Sequence, residues 1–430
     1  MIMQISKAYR IGDSRGSPTI GIDAKVGDVE LFAGVPSGAS TGTREALELR
    51  DGNPKEFLGK GVDQAINNVN NIILPAITKL DPEHQKEIDD KMIALDGTEY
   101  KKNLGANAIL AVSLIVAKVA AAEKKMPLYR YLGQLHGEKN PTLLPTPMMN
   151  VINGGAHAKN GLDFQEFMII PVGAKTFNEA MKMGMEVYGH LGKLVQASGV
   201  GDEGGFSPSI FKKQTGTERV KEACNLLIGA IEKAGYKPGQ QIALAFDPAA
   251  SEFFKNGAYQ LAGNQRLSPQ DMVKFYQELI SLYPIVSIED GMAEGDEIGW
   301  KLLTRAIGNK TQLVGDDVFV TNPKIFERGV EEKIANAILI KLNQVGTLSE
   351  TLEVIKMAQA NGYNAVISHR SGETEDTTIA DLAVGTRAGQ IKTGAPARSE
   401  RVAKYNRLLK IERDLGDKAE FLGGKVFSHR

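Results

Sequence analysis

Short apolar runs alternate with helical segments through the second half of the chain, and this alternation limits the available folds more than any other feature. The runs are rich in branched residues, as is typical of strands buried on both faces, and the gaps between them accommodate helices. Parallel strands joined by helices in this number indicate an α/β barrel. The predicted strands are residues 167–170, 242–246, 285–288, 312–314, 337–340, 365–367 and 389–391.

Charged or polar residues stand at or just after the end of six of these runs. In a barrel the carboxyl ends of the strands meet at one mouth, where active sites are found. A single such residue often only caps the next helix, but six in succession predict a common site. They are Asp247, Glu289 with Asp290, Asp316 with Asp317, Lys341, His369 with Arg370, and Lys392.

Lys341 is the least expected member, because it follows the buried-strand pattern Ile338-Leu339-Ile340. A strand buried on both faces has no solvated side for an ammonium group. Either the side chain emerges at the barrel mouth, or it is held inside opposite anionic groups; an edge-strand lysine in water is the third alternative. Burial and nearby cations favour the neutral amine whereas carboxylates favour the charged form, which leaves its protonation open.

The first part of the chain separates strands from helices, which predicts a small α+β domain. Residues 2–35 read as a strand meander, and residues 44–132 carry a helical pattern. A stretch rich in glycine and proline follows and is typical of a linker. The predicted division is an N-terminal α+β domain at 1–135, a linker at 136–147 and an α/β barrel with the active site at 148–430.

The segment 37–43, Ser-Gly-Ala-Ser-Thr-Gly-Thr, contains only small and turn-forming residues. It carries no large side chain to pack, so we expect it to be mobile. It is either a surface turn or a lid whose hydroxyl groups reach a ligand.

Composition and charge narrow the classes of function. Lys and Arg number 51 against 52 Asp and Glu, so the formal net charge of −1 favours neither nucleic acid nor an anionic membrane. Cys224 is the only cysteine, which fits a reducing compartment and a packing role. The longest apolar stretch, 104–117, is too short to span a bilayer and predicts a buried helix. We therefore expect a cytoplasmic protein without direct nucleic-acid or membrane binding.

The predicted mouth combines carboxylates with cations. Oxygen ligands from three strand ends, without a cysteine or histidine cluster, suit Mg²⁺ rather than Zn²⁺. Lys341, Arg370 and Lys392 lie opposite them and can hold a phosphate or a carboxylate. The site therefore favours a small anionic substrate.

Two earlier segments add candidate residues. Glu203 lies among glycines at 201–205, where the backbone either approaches a ligand closely or simply turns. Glu166, next to Gln165, begins a buried strand, so its carboxylate must find a partner. His157 is either a site residue or a hydrogen-bonded histidine of the core or surface.

Several motifs resemble those of the enolase family, in the family's order and over nearly the whole chain. The resemblance implies a small α+β domain followed by a modified eight-stranded α/β (TIM-type) barrel, assembled as homodimers or octamers. It also implies the reversible dehydration of 2-phospho-D-glycerate to phosphoenolpyruvate in glycolysis. The motifs are Asp13-Ser14-Arg15-Gly16, Val35-Pro36-Ser37-Gly38-Ala39-Ser40-Thr41-Gly42, Leu339-Ile340-Lys341-Leu342-Asn343-Gln344-Val345-Gly346-Thr347, Ser368-His369-Arg370-Ser371-Gly372-Glu373-Thr374 and Ile391-Lys392-Thr393-Gly394.

The resemblance further implies a role for each matching residue. Lys341 would remove the proton alpha to the carboxylate, and Glu203 would assist loss of hydroxide as the acid, through a metal-stabilised enediolate. Two Mg²⁺ ions are implied, the second joining with the substrate. The other implied roles are ligands of the first ion for Asp247, Glu289 and Asp316, a ligand of the second for Ser40, phosphate binding for Arg370 and Ser371, carboxylate binding for Lys392, further catalytic roles for Glu166 and His157, and further substrate contacts for Gln165 and His369.

Two alternatives stay open. A related barrel enzyme acting on an unphosphorylated acid sugar is one, although the presence of Arg370, Ser371 and the segment 37–43 argues against it. A non-catalytic binding protein with the same fold is the other. Loss of Lys341 or Glu203 would favour that second alternative, and both residues are present.

Overall fold

The computed structural model describes residues 4–38, 44–196 and 199–427. Within these residues, a small domain of strands and helices precedes a closed eight-stranded barrel surrounded by helices. This arrangement confirms the predicted fold class.

The N-terminal domain contains a three-stranded antiparallel meander, as its sequence pattern predicts. Strand β2 lies in the middle, and the two-residue turn between β2 and β3 contains Gly27, whose φ of 59° suits glycine. The strands are β1 (Tyr9–Gly12), β2 (Pro18–Val26) and β3 (Val29–Gly34). The helices are α1 (Asp63–Asn68), which continues through a π-helical turn (Val69–Ile73) into α2 (Leu74–Ile77), then α3 (Gln85–Asp96), α4 (Ala106–Glu123) and α5 (Leu128–His136).

The predicted helical pattern is wrong for residues 44–62, because the first α-helix begins only at Asp63. Long-range contacts hold this stretch in an irregular path. Arg44 Nη2 donates to the carbonyl oxygen of Val318 in the barrel domain at 3.0 Å. Tertiary contacts of this kind override local helix propensity.

Helix α4 forms the centre of the N-terminal domain. It is long and apolar enough to cross a membrane by length and composition, but 83% of its 18-residue window is buried inside the protein. It packs on β2, β3, α3 and α5. A helix that is apolar on all sides belongs in a core, and α4 occupies one, in agreement with the buried helix predicted at 104–117.

The C-terminal part contains the barrel and several smaller strands. The strands are β4 (Leu143–Leu144), β5 (Thr146–Asn153), β6 (Glu166–Ile170), β7 (Ala243–Asp247), β8 (Phe254–Lys255), β9 (Ala258–Leu261), β10 (Gln265–Leu267), β11 (Ile285–Glu289), β12 (Gln312–Gly315), β13 (Ala337–Ile340), β14 (Asn364–Ser368), β15 (Gly389–Lys392) and β16 (Glu420–Phe421). The helices are α6 (Phe177–Leu194), α7 (Gly216–Lys233), α8 (Pro269–Leu282), α9 (Glu297–Ile307), α10 (Pro323–Glu331), α11 (Leu342–Val345), α12 (Leu348–Ala360), α13 (Thr378–Gly385) and α14 (Ser399–Leu415).

The barrel closes in the order β11-β12-β13-β14-β15-β5-β6-β7. Its first strand, β5, was not among the predicted strands and begins inside the stretch indicated as a linker. Strand β6 runs antiparallel to both neighbours, whereas the other neighbouring pairs are parallel. The connection from β5 to β6 has no α-helix and that from β6 to β7 has two, so neither makes the single-helix crossover that joins parallel strands.

Alternation along the barrel strands determines which side chains enter the barrel. In β13, Leu339 belongs to a small cluster formed with residues of other barrel strands, whereas Ile338 and Ile340 pack in the larger core shared with the helices. Successive side chains of a strand point to opposite faces, so Lys341, two residues after Leu339, points to the inside of the barrel as Leu339 does. It follows the end of β13 and therefore projects at the barrel mouth, one of the alternatives that the sequence left open.

A buried ion pair joins the two domains. Lys118 Nζ in α4 lies 2.6 Å from Asp376 Oδ2 and donates to the Phe32 carbonyl oxygen at 2.7 Å. The same Asp376 oxygen accepts from the backbone N–H of Gly34 at 3.2 Å. Burial would raise the pKa of Asp376, but the Lys118 ammonium outweighs burial and holds that pKa below its usual value.

We expect Lys118→Met to lower the free energy of unfolding by about 3–5 kcal/mol, because it leaves the Asp376 carboxylate buried without its cation. Urea unfolding at pH 7, followed by circular dichroism, measures the change. The matched control is Lys86→Met, which removes an exposed ion pair with Asp90 and should change stability by less than about 1 kcal/mol. Equal losses in both variants would contradict a special role for the Lys118 pair.

Candidate active site

A narrow cavity of about 30 Å³ opens at the barrel mouth. Larger cavities lie elsewhere, for example beside His136 and Arg387, but they contain none of the predicted site residues. Of the predicted site residues, Glu289 lies beside the mouth cavity in contact with Lys392, and Ser40 lies outside the described residues. Those that line the cavity are His157, Gln165, Glu166, Glu203, Asp247, Asp316, Lys341, His369, Arg370, Ser371 and Lys392.

Lys392 is the cation at the centre of the carboxylates. Its Nζ lies 3.1 Å from Glu166 Oε2, 3.1 Å from Asp247 Oδ2 and 2.7 Å from Glu289 Oε1. Burial alone would lower the pKa of Lys392, but these carboxylates outweigh burial and raise that pKa well above its usual value. Lys392 therefore stays charged and holds together acidic groups from three neighbouring strands.

Lys341 makes a close ion pair with Asp316. The other Asp316 oxygen, Oδ1, accepts from Gln344 Nε2 at 2.9 Å. Burial would lower the pKa of Lys341, but the charge of Asp316 outweighs it and raises that pKa. In the protein without ligands, the effect of the Asp316 carboxylate on this pKa is thus larger than that of burial and of nearby cations. The charged form of Lys341 is favoured, which the sequence alone left open.

Arg370 faces a carboxylate from the N-terminal domain. Its Nη1 lies 2.9 Å from Glu45 Oε2, and its Nη2 donates to Glu45 Oε1 at 3.3 Å. Nη1 also donates to Asn343 Oδ1 at 3.0 Å. This forked pairing shows a guanidinium oriented to bind a planar or tetrahedral anion through two oxygens.

Two carboxylates and two histidines form the opposite wall of the cavity. His157 Nδ1 lies 4.0 Å from both Glu166 Oε1 and Glu203 Oε1. His369 Nε2 lies 3.5 Å from Glu203 Oε2, and that oxygen also accepts from Asn150 Nδ2 at 3.0 Å. The histidine and the two carboxylates singled out in the earlier segments are therefore brought together.

The pKa values of the two carboxyl groups in this wall are shifted in opposite directions. Burial, followed by the charge of Glu203, raises the pKa of Glu166 well above its usual value. Burial opposes ionisation of Glu203 as well, but His369 and His157 outweigh it and hold its pKa well below the usual range. Burial lowers the pKa of His369 to about 4, so near pH 7 this ring beside Glu203 is neutral. Without substrate, Glu166 is therefore the more basic of these two carboxyl groups.

The glycines around Glu203 allow contacts with other chain segments. Gly204 has a φ of 84°, and a Cβ there would lie 3.0 Å from the Ala397 carbonyl oxygen. A Cβ on Gly205 would lie 2.5 Å from Asn153 Oδ1. The glycine-rich segment thus lets the backbone turn tightly and sets Glu203 at the cavity, in place of the close approach to a ligand that was the alternative.

The residues present fit a metal ion. Asp247, Glu289 and Asp316 end three adjacent barrel strands and offer only carboxylate oxygens, the ligands that hard divalent cations prefer. Glu289 Oε2 is buried and has no hydrogen-bond partner among the described residues. Two groups have ligand atoms within 4.8 Å of one another, Asp290-Asp316-Asp317 and His157-Glu166-Glu203. The predicted ligand set is not itself one of these groups. Lys392 contacts Asp247 and Glu289, and Lys341 contacts Asp316.

Three residues of this site were missed by the sequence reasoning. Asn150 interrupts the apolar stretch 148–152, and this amide inside a strand pattern was the only local signal. Glu45 lies in the stretch read as helical, and Arg401 lies in α14 with no local mark of function. Their partners are far along the chain, 325 positions away for Glu45 and Arg370.

Fold and site together define an α/β-barrel enzyme class whose acidic mouth can hold a metal ion. Residues 2–132 match the family described as "Enolase, N-terminal domain", and residues 141–430 match "Enolase, C-terminal TIM barrel domain". The chain belongs to the enolase family. Its domains imply a lyase-type enzyme, and the family fold typically uses a metal.

We expect Mg²⁺ to raise the thermal unfolding midpoint of the wild-type protein, since a ligand at about 100 times its Kd adds roughly 2.7 kcal/mol to native stability. Glu289→Gln should abolish most of this increase, because it removes a buried charged oxygen from the ligand set. Differential scanning fluorimetry with and without Mg²⁺ measures it. Glu278→Gln, at an exposed carboxylate paired with Lys221, is the control and should respond like wild type. A full response of Glu289→Gln would contradict this ligand set.

Proposed function

We propose that the protein catalyses the reversible, Mg²⁺-dependent dehydration of 2-phospho-D-glycerate to phosphoenolpyruvate and water. The proposal rests on the set of residues that line one cavity. Lys341 and Glu203 both line it, together with the carboxylates that can bind a cation and with Arg370 and Lys392, which can bind anions. A base, an acid and anion-binding groups around a single cavity suit removal of a proton and of hydroxide from adjacent carbons.

Lys341 is the proposed base for the proton alpha to the substrate carboxylate. That proton is very weakly acidic, so its removal requires strong positive charge beside the carboxylate. Mg²⁺ held by Asp247, Glu289 and Asp316 would supply that charge and would offset the carboxylate that keeps Lys341 protonated. The pairing of a lysine base with magnesium in enolase-superfamily sites is a general pattern.

Glu203 is the proposed acid for loss of hydroxide. In the protein without substrate the pKa of Glu203 lies below its usual range and that of Glu166 above it, so Glu166 holds a proton more tightly. His157 Nδ1 lies 4.0 Å from both carboxyl groups, and we propose that this ring relays a proton from Glu166 to Glu203. The anionic substrate is proposed to bind closer to Glu203 than to Glu166 and therefore to raise the proton affinity of Glu203 more.

Arg370 supports the choice of a phosphorylated substrate. It already binds a carboxylate through two contacts, and a phosphate dianion offers the same geometry with more charge. The segment after β14 that contains Arg370 also contains Ser371, and Ser371 lines the cavity. We propose that phosphate displaces Glu45 from Arg370, while Lys392 binds the substrate carboxylate.

The segment 37–43 is proposed to close over the substrate, with Ser40 joining a second Mg²⁺. Ser40 lies outside the described residues, but both ends of the segment contact the site. Ser37 N–H donates to the Gly372 carbonyl oxygen at 2.7 Å, beside Ser371. At the other end, Glu45 pairs with Arg370. Binding of phosphate at Arg370 is thereby coupled to the position of the segment.

We also propose a cytoplasmic homodimer or octamer. The single, buried Cys224 supports a reducing compartment. The oligomeric states are those that the family resemblance implies.

We expect the purified protein to form phosphoenolpyruvate from 2-phospho-D-glycerate and Mg²⁺, followed by ultraviolet absorbance. Lys341→Ala should lower kcat by about 10²–10⁴-fold, the usual contribution of a general base. Lys324→Ala, at an exposed lysine, is the matched control and should retain wild-type activity.

Folded wild-type protein without phosphoenolpyruvate formation would contradict the proposed function. Turnover of an unphosphorylated hydroxy acid in the same assay series would favour the alternative of a related barrel enzyme. Equal activity of Lys341→Ala and wild type would remove Lys341 from the role of base.

A further inference from the structure

Arg401 is a fully buried arginine in the first turn of α14. Its Nη1 donates to His369 Nδ1 at 2.7 Å and to the Arg370 carbonyl oxygen at 2.6 Å. Its Nη2 donates to the carbonyl oxygens of Ser371 at 2.6 Å and Asp202 at 3.1 Å. The Arg401 side chain therefore holds the segment after β14 against the glycine-rich segment 201–205.

The contact between Arg401 and His369 determines which ring nitrogen carries the proton. A guanidinium group has only donors and stays charged in proteins. His369 Nδ1, at 2.7 Å from Arg401 Nη1, must therefore accept, and the single proton of the neutral ring lies on Nε2. A proton on Nδ1 would direct two N–H donors at each other.

The Nε2–H group of His369 faces Glu203, the proposed acid. It lies 3.5 Å from Oε2, the same oxygen that accepts from Asn150 Nδ2 at 3.0 Å. Burial and the charge of Arg401 both lower the pKa of His369, to about 4, which keeps the ring neutral. Oε2 thus accepts a hydrogen bond from Asn150, and His369 Nε2, which has no hydrogen-bond partner among the described residues, faces the same oxygen at 3.5 Å.

We propose that Arg401 is a positioning residue that locks His369 in the Nε2–H tautomer and thereby directs a hydrogen-bond donor at the Glu203 carboxyl group. Its effect on turnover rests on the proposed function. In that reaction the C–O bond breaks with its electron pair on oxygen, and the Glu203 proton joins this oxygen to form water. The carboxylate left on Glu203 is then stabilised by Asn150 and by the His369 N–H group that faces Oε2.

The test is the ¹⁵N spectrum of the histidine rings in the full-length protein without substrate. The chain has six histidines, and His369→Gln identifies the signals of His369 by difference. Wild type should show His369 with an unprotonated Nδ1 and a protonated Nε2. Arg401→Met removes the donors and should move the proton toward Nδ1, whereas Arg401→Lys retains one donor and should change the spectrum less.

The matched control is Arg407→Met, on the same helix. Arg407 is partly buried and donates through Nε to Asp381 Oδ2 at 2.8 Å, away from the cavity. It should leave the His369 signals and kcat unchanged even if it lowers stability. Arg401→Met should lower kcat about 10- to 100-fold, the usual effect of removing a group that orients a functional histidine.

A wild-type spectrum with a protonated Nδ1 on His369 would overturn the proposal, and so would an Arg401→Met spectrum with the wild-type tautomer. If Arg401→Met does not fold, the wild-type and Arg401→Lys spectra still show which ring nitrogen of His369 carries the proton. The tautomer is read without turnover. If the spectra are as expected but no phosphoenolpyruvate forms, the proposed function is contradicted. The proposal that Arg401 fixes the tautomer of His369 would still stand.

Discussion

Mutual neutralisation of buried charges at the barrel mouth is the interaction on which the rest of the site depends. An ion removed from water costs several kcal/mol unless it is paired and hydrogen-bonded. Lys392 meets this requirement for Glu166, Asp247 and Glu289, and Lys341 meets it for Asp316. A ligand entering the cavity must therefore exchange partners with these groups. In the proposed function, a divalent cation and an anion then favour each other's binding, because the cation takes carboxylates from both lysines. Lys392 is thereby freed for the anion, and the charge that keeps Lys341 protonated is weakened.

The N-terminal domain completes this site as well as covering it. Glu45 pairs with Arg370, and Ser37 exchanges backbone hydrogen bonds with Gly372. Lys118 neutralises Asp376 at the same boundary. Two of these contacts are largely buried ion pairs, so separating the domains would leave their ions unpaired. The arrangement of the anion-binding groups therefore depends on both domains being folded together.

The sequence was sufficient to predict seven of the eight barrel strands and the charged or polar residues at six strand ends. Alternation with period two and the convergence of carboxyl ends at one mouth are local and topological rules, and Asp247, Asp316, Lys341 and Lys392 obey them. Strand β5 was missed because Pro145 and Pro147 read as linker residues. The protonation of Lys341 could not be predicted, since it depends on its contact with a carboxylate of another strand.

The reversed direction of β6 has a consequence for how such a site can change. Strand β6 starts at the mouth and ends at the opposite side of the barrel. The chain therefore returns to the mouth through α6 and runs back to the opposite side through α7 before β7 begins. His157 and Glu166 enter on the loop before β6 and at its start, and Glu203 enters at the turn between the two helices. The groups proposed to handle the leaving oxygen thus lie in one continuous stretch of the chain, 154–242. Lys341 and the carboxylates proposed to bind the metal lie outside this stretch, on the parallel strands. An exchange of the stretch 154–242 would therefore alter the proposed acid side of the site and leave the proposed base in place.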